Sequence, residues 1–148
     1  MKATSKIFGA LIAVLMMAVI NPVLANESKV WDQEQVLHIS DELSKAARKL
    51  KVECRNSPPN YSDAGTGRHS EFRYHVRHFV WVANRLNNTL EDGAGHEETK
   101  PLYNTLAGMK AGFNTYANMP GGAWIGVDRA VANVNKYLTQ LGVYYTSE

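Results

Sequence analysis

Apolar residues recur at alternating three- and four-residue spacing in four segments of the chain, and stretches rich in Gly, Pro, Asn and Asp separate them. The first segment, from about Lys29 to Arg55, sets Val36, Ile39, Leu43, Ala46, Ala47, Leu50 and Cys54 on one helical face. Pro58 and Pro59 end it, because proline lacks the backbone donor and disfavours helical geometry in the residue before it. The second, about residues 68–92, turns Phe72, Val76, Phe79, Ala83, Leu86 and Leu90 inward and closes at Gly93-Ala94-Gly95.

The third segment, about residues 99–118, takes Thr99 as its N-cap with Pro101 in the first turn. It buries Leu102, Leu106, Met109, Phe113 and Tyr116. The fourth, about residues 122–146, has the most regular stripe: Trp124, Val127, Val131, Val134, Leu138, Leu141 and Tyr145. No segment alternates apolar and polar residues as a strand does. Four amphipathic helices joined by short or moderate loops hide their stripes most simply by packing each beside the next. The expected fold is all-α, an up-down-up-down antiparallel four-helix bundle.

Ahead of these segments Lys2 and Lys6 precede Ile7 to Ile20, an uncharged run, followed by Pro22 and Val23-Leu24-Ala25. That order of parts predicts a signal peptide over residues 1–25, cut after Ala25, and an exported, periplasmic or secreted, bundle domain over residues 26–148. The run is too short to span a bilayer as a helix, and no cysteine follows the expected cut, so no stable membrane anchor is expected.

Export changes the charge. Of the sixteen basic residues, Lys2 and Lys6 leave with the signal peptide, and the fourteen that remain equal the fourteen acids. A neutral chain gives no overall reason to expect nucleic acid as a partner. The antiparallel order then divides these charges between two poles. The end of the first helix and the start of the second bring Arg48, Lys51, Arg55, Arg68, Arg73 and Arg77 to one end, while Asp32, Glu34, Glu91, Asp92, Glu97 and Glu98 gather at the other. Cations in the last turns of the first helix suit its dipole. Arg68, Arg73 and Arg77 do not, since they lie in the first half of a helix, where positive charge is unfavourable. This excess makes the basic pole a candidate site for an anionic partner, such as a phosphate-bearing lipid, a polyanionic glycan or an acidic protein face.

Other candidate chemistry is thinner. His75 and His78 stand three residues apart and, with Cys54, form a candidate metal or haem set, to which Met109 and Met119 are further possible axial donors. Covalent haem attachment lacks its Cys-x-x-Cys-His motif. Cys54, the sole cysteine, has no partner within the chain and is expected to be a buried small hydrophobe. No G-x-S-x-G turn, H-E-x-x-H helix or phosphate-binding glycine loop occurs, so no enzyme is expected. Val80, Trp81 and Trp31 fall outside the apolar stripes and mark a candidate interface for a homodimer or another protein.

The leading expectation is therefore an exported, non-enzymatic binding protein without a cofactor, and the alternative is a haem- or metal-binding bundle. An absorption spectrum with elemental analysis of protein recovered from its own compartment separates them. The first expects a colourless, metal-free protein, and a Soret band or stoichiometric metal decides for the second.

Overall fold

The computed structural model describes residues 29–56, 65–117 and 125–146, and among them are four α-helices and no strand. They are α1 (Gln33–Asn56), α2 (Gly65–Glu91), α3 (His96–Ala117) and α4 (Ile125–Tyr145). Each helix packs on two others, α1 on α2 and α4, and α3 on α2 and α4. Contacts near the ends set the directions. The start of α1 reaches the end of α2, where Gln33 Nε2 donates to the carbonyls of Leu90 at 3.2 Å and Ala94 at 3.1 Å. The start of α2 reaches the end of α1 through Arg73. The end of α4 reaches the start of α3, where the Tyr145 hydroxyl donates to Thr99 Oγ1 at 2.8 Å. The arrangement is the expected antiparallel four-helix bundle.

Local chemistry fixes where the helices begin and stop. Asp32 is the N-cap of α1, its carboxylate accepting from the Gln35 backbone N–H at 3.1 Å. Loss of such a cap costs about 1 kcal/mol. Residues 29–32 therefore precede the helix instead of belonging to it, and the Lys29 backbone N–H donates to the Val143 carbonyl at 2.9 Å. α2 ends in a pair of backbone bonds, Ala94 N–H to the Thr89 carbonyl and Gly93 N–H to the Leu90 carbonyl, at 3.1 and 3.0 Å. This closing turn needs a left-handed residue, and Gly93 supplies it at φ 90°.

Thr99 is not the N-cap of α3. The helix begins three residues earlier, with Gly95 as its cap, and the Glu98 carboxylate accepts the Gly95 N–H at 3.0 Å. Thr99 instead lies inside the helix and buried, its hydroxyl donating to the Gly95 carbonyl at 2.7 Å while accepting from Tyr145. Pro101 then stands in the second turn rather than the first, where its missing N–H leaves the Glu97 carbonyl without the usual helical donor. α2 likewise starts ahead of the expected residue 68, at Gly65. Trp124 and residues 1–28, which include the expected signal peptide, lie outside the described residues.

The predicted stripes form the core. Leu43 and Leu50 of α1, Phe72, Phe79 and Leu86 of α2, Leu106 and Phe113 of α3, and Val134, Leu138 and Leu141 of α4 are all buried. Phe113 packs edge-on against Phe79 at 4.9 Å and Phe72 at 6.2 Å between ring centroids. Ser40 and Ser44 are buried within the α1 stripe, and Ser44 Oγ donates to Asn84 Oδ1 of α2 at 2.6 Å.

Two of the three candidate interface residues are packed against the protein itself. Val80 is only 7% exposed, because the α2 stripe is wide enough to carry it against α1. Trp31 is half-buried at the acidic pole, edge-on to His96 at 5.2 Å and to Tyr145 at 5.3 Å, with its indole N–H donating to Gln33 Oε1. Tyr145 also stacks on Tyr103 with centroids 4.5 Å apart and planes within 6°. Trp81 alone of the three is exposed, at 56%.

Burial in this aromatic cluster pushes the Tyr145 phenol up to about 12, against an ordinary 10.0. The unfolded chain loses that proton first, so between those values the native state holds more protons and its stability falls as pH rises. Below the lower value the contribution is fully present. Tyr145→Phe should cost about 1 kcal/mol at pH 8 through the lost hydrogen bond and make the fall between pH 10 and 12 shallower, as read by urea denaturation at each pH.

Candidate functional site

The end of α1 and the first half of α2 enclose an open groove of about 660 Å³. Its wall carries Arg48, Lys51 and Arg55 from α1 and Arg73 and Arg77 from α2, with Val52, Val76 and Val80 as apolar lining and no carboxylate among the described lining residues. Five of the six cations that the charge pattern singled out thus share one cavity. The side chain of the sixth, Arg68, is outside the described residues.

Antiparallel packing brings this about. Arg48, Lys51, Val52 and Arg55 recur at helical spacing along the flank of α1 that faces α2, and Arg73, Val76, Arg77, Val80 and Asn84 do the same in reverse on α2. Two of the cations have structural duties. Arg73 donates from Nε to the Cys54 carbonyl at 3.2 Å and from Nη2 to the Arg55 carbonyl at 3.1 Å. It satisfies the unpaired end of α1, which explains a cation early in α2: the dipole it complements is its neighbour's. Arg48 donates to Asn84 Oδ1 from Nε at 3.1 Å and Nη2 at 2.9 Å, and Nη2 also reaches Ser44 Oγ.

Lys51, Arg55 and Arg77 are exposed, and among the described residues none of them lies within ion-pair distance of a carboxylate. The Arg77 guanidinium carbon stands 6.0 Å from the centroid of the Tyr74 ring. Lys45, by contrast, is spent on Asp41 at 2.7 Å and Glu42 at 2.9 Å on its own helix. The groove therefore presents three uncommitted cations beside two that are held in place by hydrogen bonds.

The candidate metal or haem residues face different ways. Cys54 is 2% exposed on the groove side, and burial pushes its thiol up to about 12. His75 turns toward α3, where Nε2 donates to the Met109 carbonyl at 3.1 Å and the ring lies edge-on to Phe113 at 5.3 Å. Gly112 makes room for it, since a β-carbon there would stand 2.5 Å from His75 Nε2. His78 is exposed beside Trp81, with ring centroids 6.2 Å apart. No group of three or more His, Cys, Asp and Glu placed to hold a metal ion is found among the described residues. Met119 lies outside them.

The charge pattern located the cations but not the valines between them, nor Asn84 and Ser44, which fix Arg48. Tyr74 was also missed. It stands seven residues before Trp81, both outside the α2 stripe, and that repeat is visible in the sequence.

The Cys54 thiol combines burial with a raised pKa, and the thiolate is the reactive form. Native protein at pH 8 should alkylate with iodoacetamide at least a hundredfold more slowly than protein in denaturing urea, as followed by intact mass. Equal rates would show that the thiol is open to solvent. No family model, curated protein or solved structure matches the chain.

Proposed function

We propose that this is an exported, non-enzymatic protein that binds an anionic partner in the groove between α1 and α2. The observation that carries the reading is the convergence of Arg48, Lys51, Arg55, Arg73 and Arg77 on one cavity with no carboxylate among its described lining residues. Like charges gathered in this way repel one another, and an incoming anion relieves that repulsion while interacting with several cations at once. Arg48 and Arg73 are already oriented by their hydrogen bonds, which lowers the ordering cost of binding.

Two further observations support the non-catalytic part. Among the described residues the groove's lining holds no carboxylate or histidine to serve as acid or base, and the Cys54 thiol is kept protonated by burial. Export rests on the order of Lys2, Lys6, the uncharged run to Ile20 and the small residues ending at Ala25. No helix among the described residues is long and apolar enough to cross a membrane.

Lys51→Glu combined with Arg77→Glu tests the binding reading without disturbing the core, because both side chains are exposed. The pair should leave the helical circular dichroism unchanged and elute from heparin at clearly lower salt than the parent protein. Retention equal to that of the parent would rule the groove out as an anion site.

A further inference from the structure

The groove is apolar as well as basic, and this narrows the class of anion. Val52, Val76 and Val80 lie among its cations. Phosphate or a sulfated glycan gains nothing from valine side chains, whereas an anionic lipid presents a phosphate and apolar chains together. The surface beside the groove has the same mixed character. Among the described residues four large apolar side chains are exposed, and three of them adjoin this site: Val52 at 44%, Tyr74 at 66% and Trp81 at 56%.

Tyr74, Arg77, Trp81 and Arg85 recur at three- and four-residue spacing, so aromatic and basic side chains alternate along the outer edge of α2. Arg77 lies against the Tyr74 ring, and Arg85 stands 5.5 Å from the centroid of Trp81. Arg77 belongs both to this edge and to the groove wall. Tyrosine and tryptophan favour the headgroup layer of a bilayer, where an apolar ring and a polar tip are both satisfied, and Lys and Arg are attracted to anionic headgroups.

The charge distribution would orient the molecule on such a surface. Asp32, Glu34, Glu91, Asp92, Glu97 and Glu98 gather at the far end of the bundle, so an anionic bilayer meeting the α1–α2 face draws in its basic end more strongly and tilts the acidic end away. We infer that the α1–α2 face docks on an anionic phospholipid bilayer, with Trp81 and Tyr74 in the headgroup layer and a lipid phosphate held in the groove by Lys51, Arg55 and Arg77. The inference rests on the anion-binding reading and specifies its ligand.

Vesicles of phosphatidylcholine, with and without phosphatidylglycerol, test it by co-sedimentation and by Trp81 fluorescence in a Trp31→Phe, Trp124→Phe background. On the anionic vesicles the protein should sediment, and Trp81 emission should shift to the blue and become protected from an aqueous quencher. Lys51→Glu with Arg77→Glu should weaken partitioning about tenfold or more. Trp81→Ser should weaken it several-fold while leaving heparin retention unchanged.

Equal partitioning onto neutral vesicles would overturn the inference. So would anionic binding that leaves Trp81 emission and the Trp81→Ser variant unaffected, since the aromatic edge would then take no part. Groove-dependent heparin retention without vesicle binding would overturn the lipid assignment and leave the anion-binding reading standing. Absence of both would overturn both.

Discussion

Arg73 reaches from the first half of α2 to the last carbonyls of α1, and its two hydrogen bonds join the requirements of two helices. The end of α1 has carbonyls without helical donors and needs a cation. Supplying it from α2 holds the two helices in register at this end of the bundle, as Gln33 does at the other with the carbonyls of Leu90 and Ala94. Between these two clamps the Ser44–Asn84 bond fixes the middle of the seam, and Asn84 in turn orients Arg48. The groove is therefore a by-product of how α1 and α2 are fastened. Its rear cations are parts of the fastening, and only Lys51, Arg55 and Arg77 are left over.

Two regions of the molecule solve different problems. At the acidic pole, Trp31, His96, Tyr103 and Tyr145 pack their rings together, and a chain of hydrogen bonds runs from Tyr145 through Thr99 to the Gly95 carbonyl. The Trp31 and Tyr145 tips are hydrogen-bonded and ring faces cover one another, so the aromatic area there is used up internally. Along the outer edge of α2 the aromatics Tyr74 and Trp81 stay on the outside. Similar residue types thus serve as core in one place and as surface in another, and the difference lies in whether a neighbouring helix covers them.

Much of the fold was readable because the information is periodic. Leu43, Leu50, Phe72, Phe79, Leu86, Leu106, Val134 and Leu141 repeat at the helical period, and each is where the stripe puts it. The helix ends were less readable because they depend on a choice among competing caps. Thr99 has the right chemistry for an N-cap, but Gly95 with Glu98 takes that role, and the Thr99 hydroxyl is left to meet Tyr145, forty-six residues away. The burial of Val80 was not readable, because stripe width depends on how closely the next helix approaches, a tertiary property. For the groove, topology and charge were enough to place the cations at one pole. That Arg73 serves its neighbour's dipole, and that valines lie between the cations, required the register of α1 against α2.

The lone cysteine gives the groove a further meaning. Cys54 supplies one of the two carbonyls that Arg73 holds, while its side chain lies buried against the groove. As long as α1 and α2 stay fastened, an oxidising solution finds no thiol to act on. Once the seam opens, the thiol is exposed at its ordinary acidity and can join that of another opened molecule. A reversible loss of structure then becomes a covalent, one-way event, so the lifetime of this protein in such surroundings is governed by how rarely the seam opens rather than by the depth of its folding equilibrium.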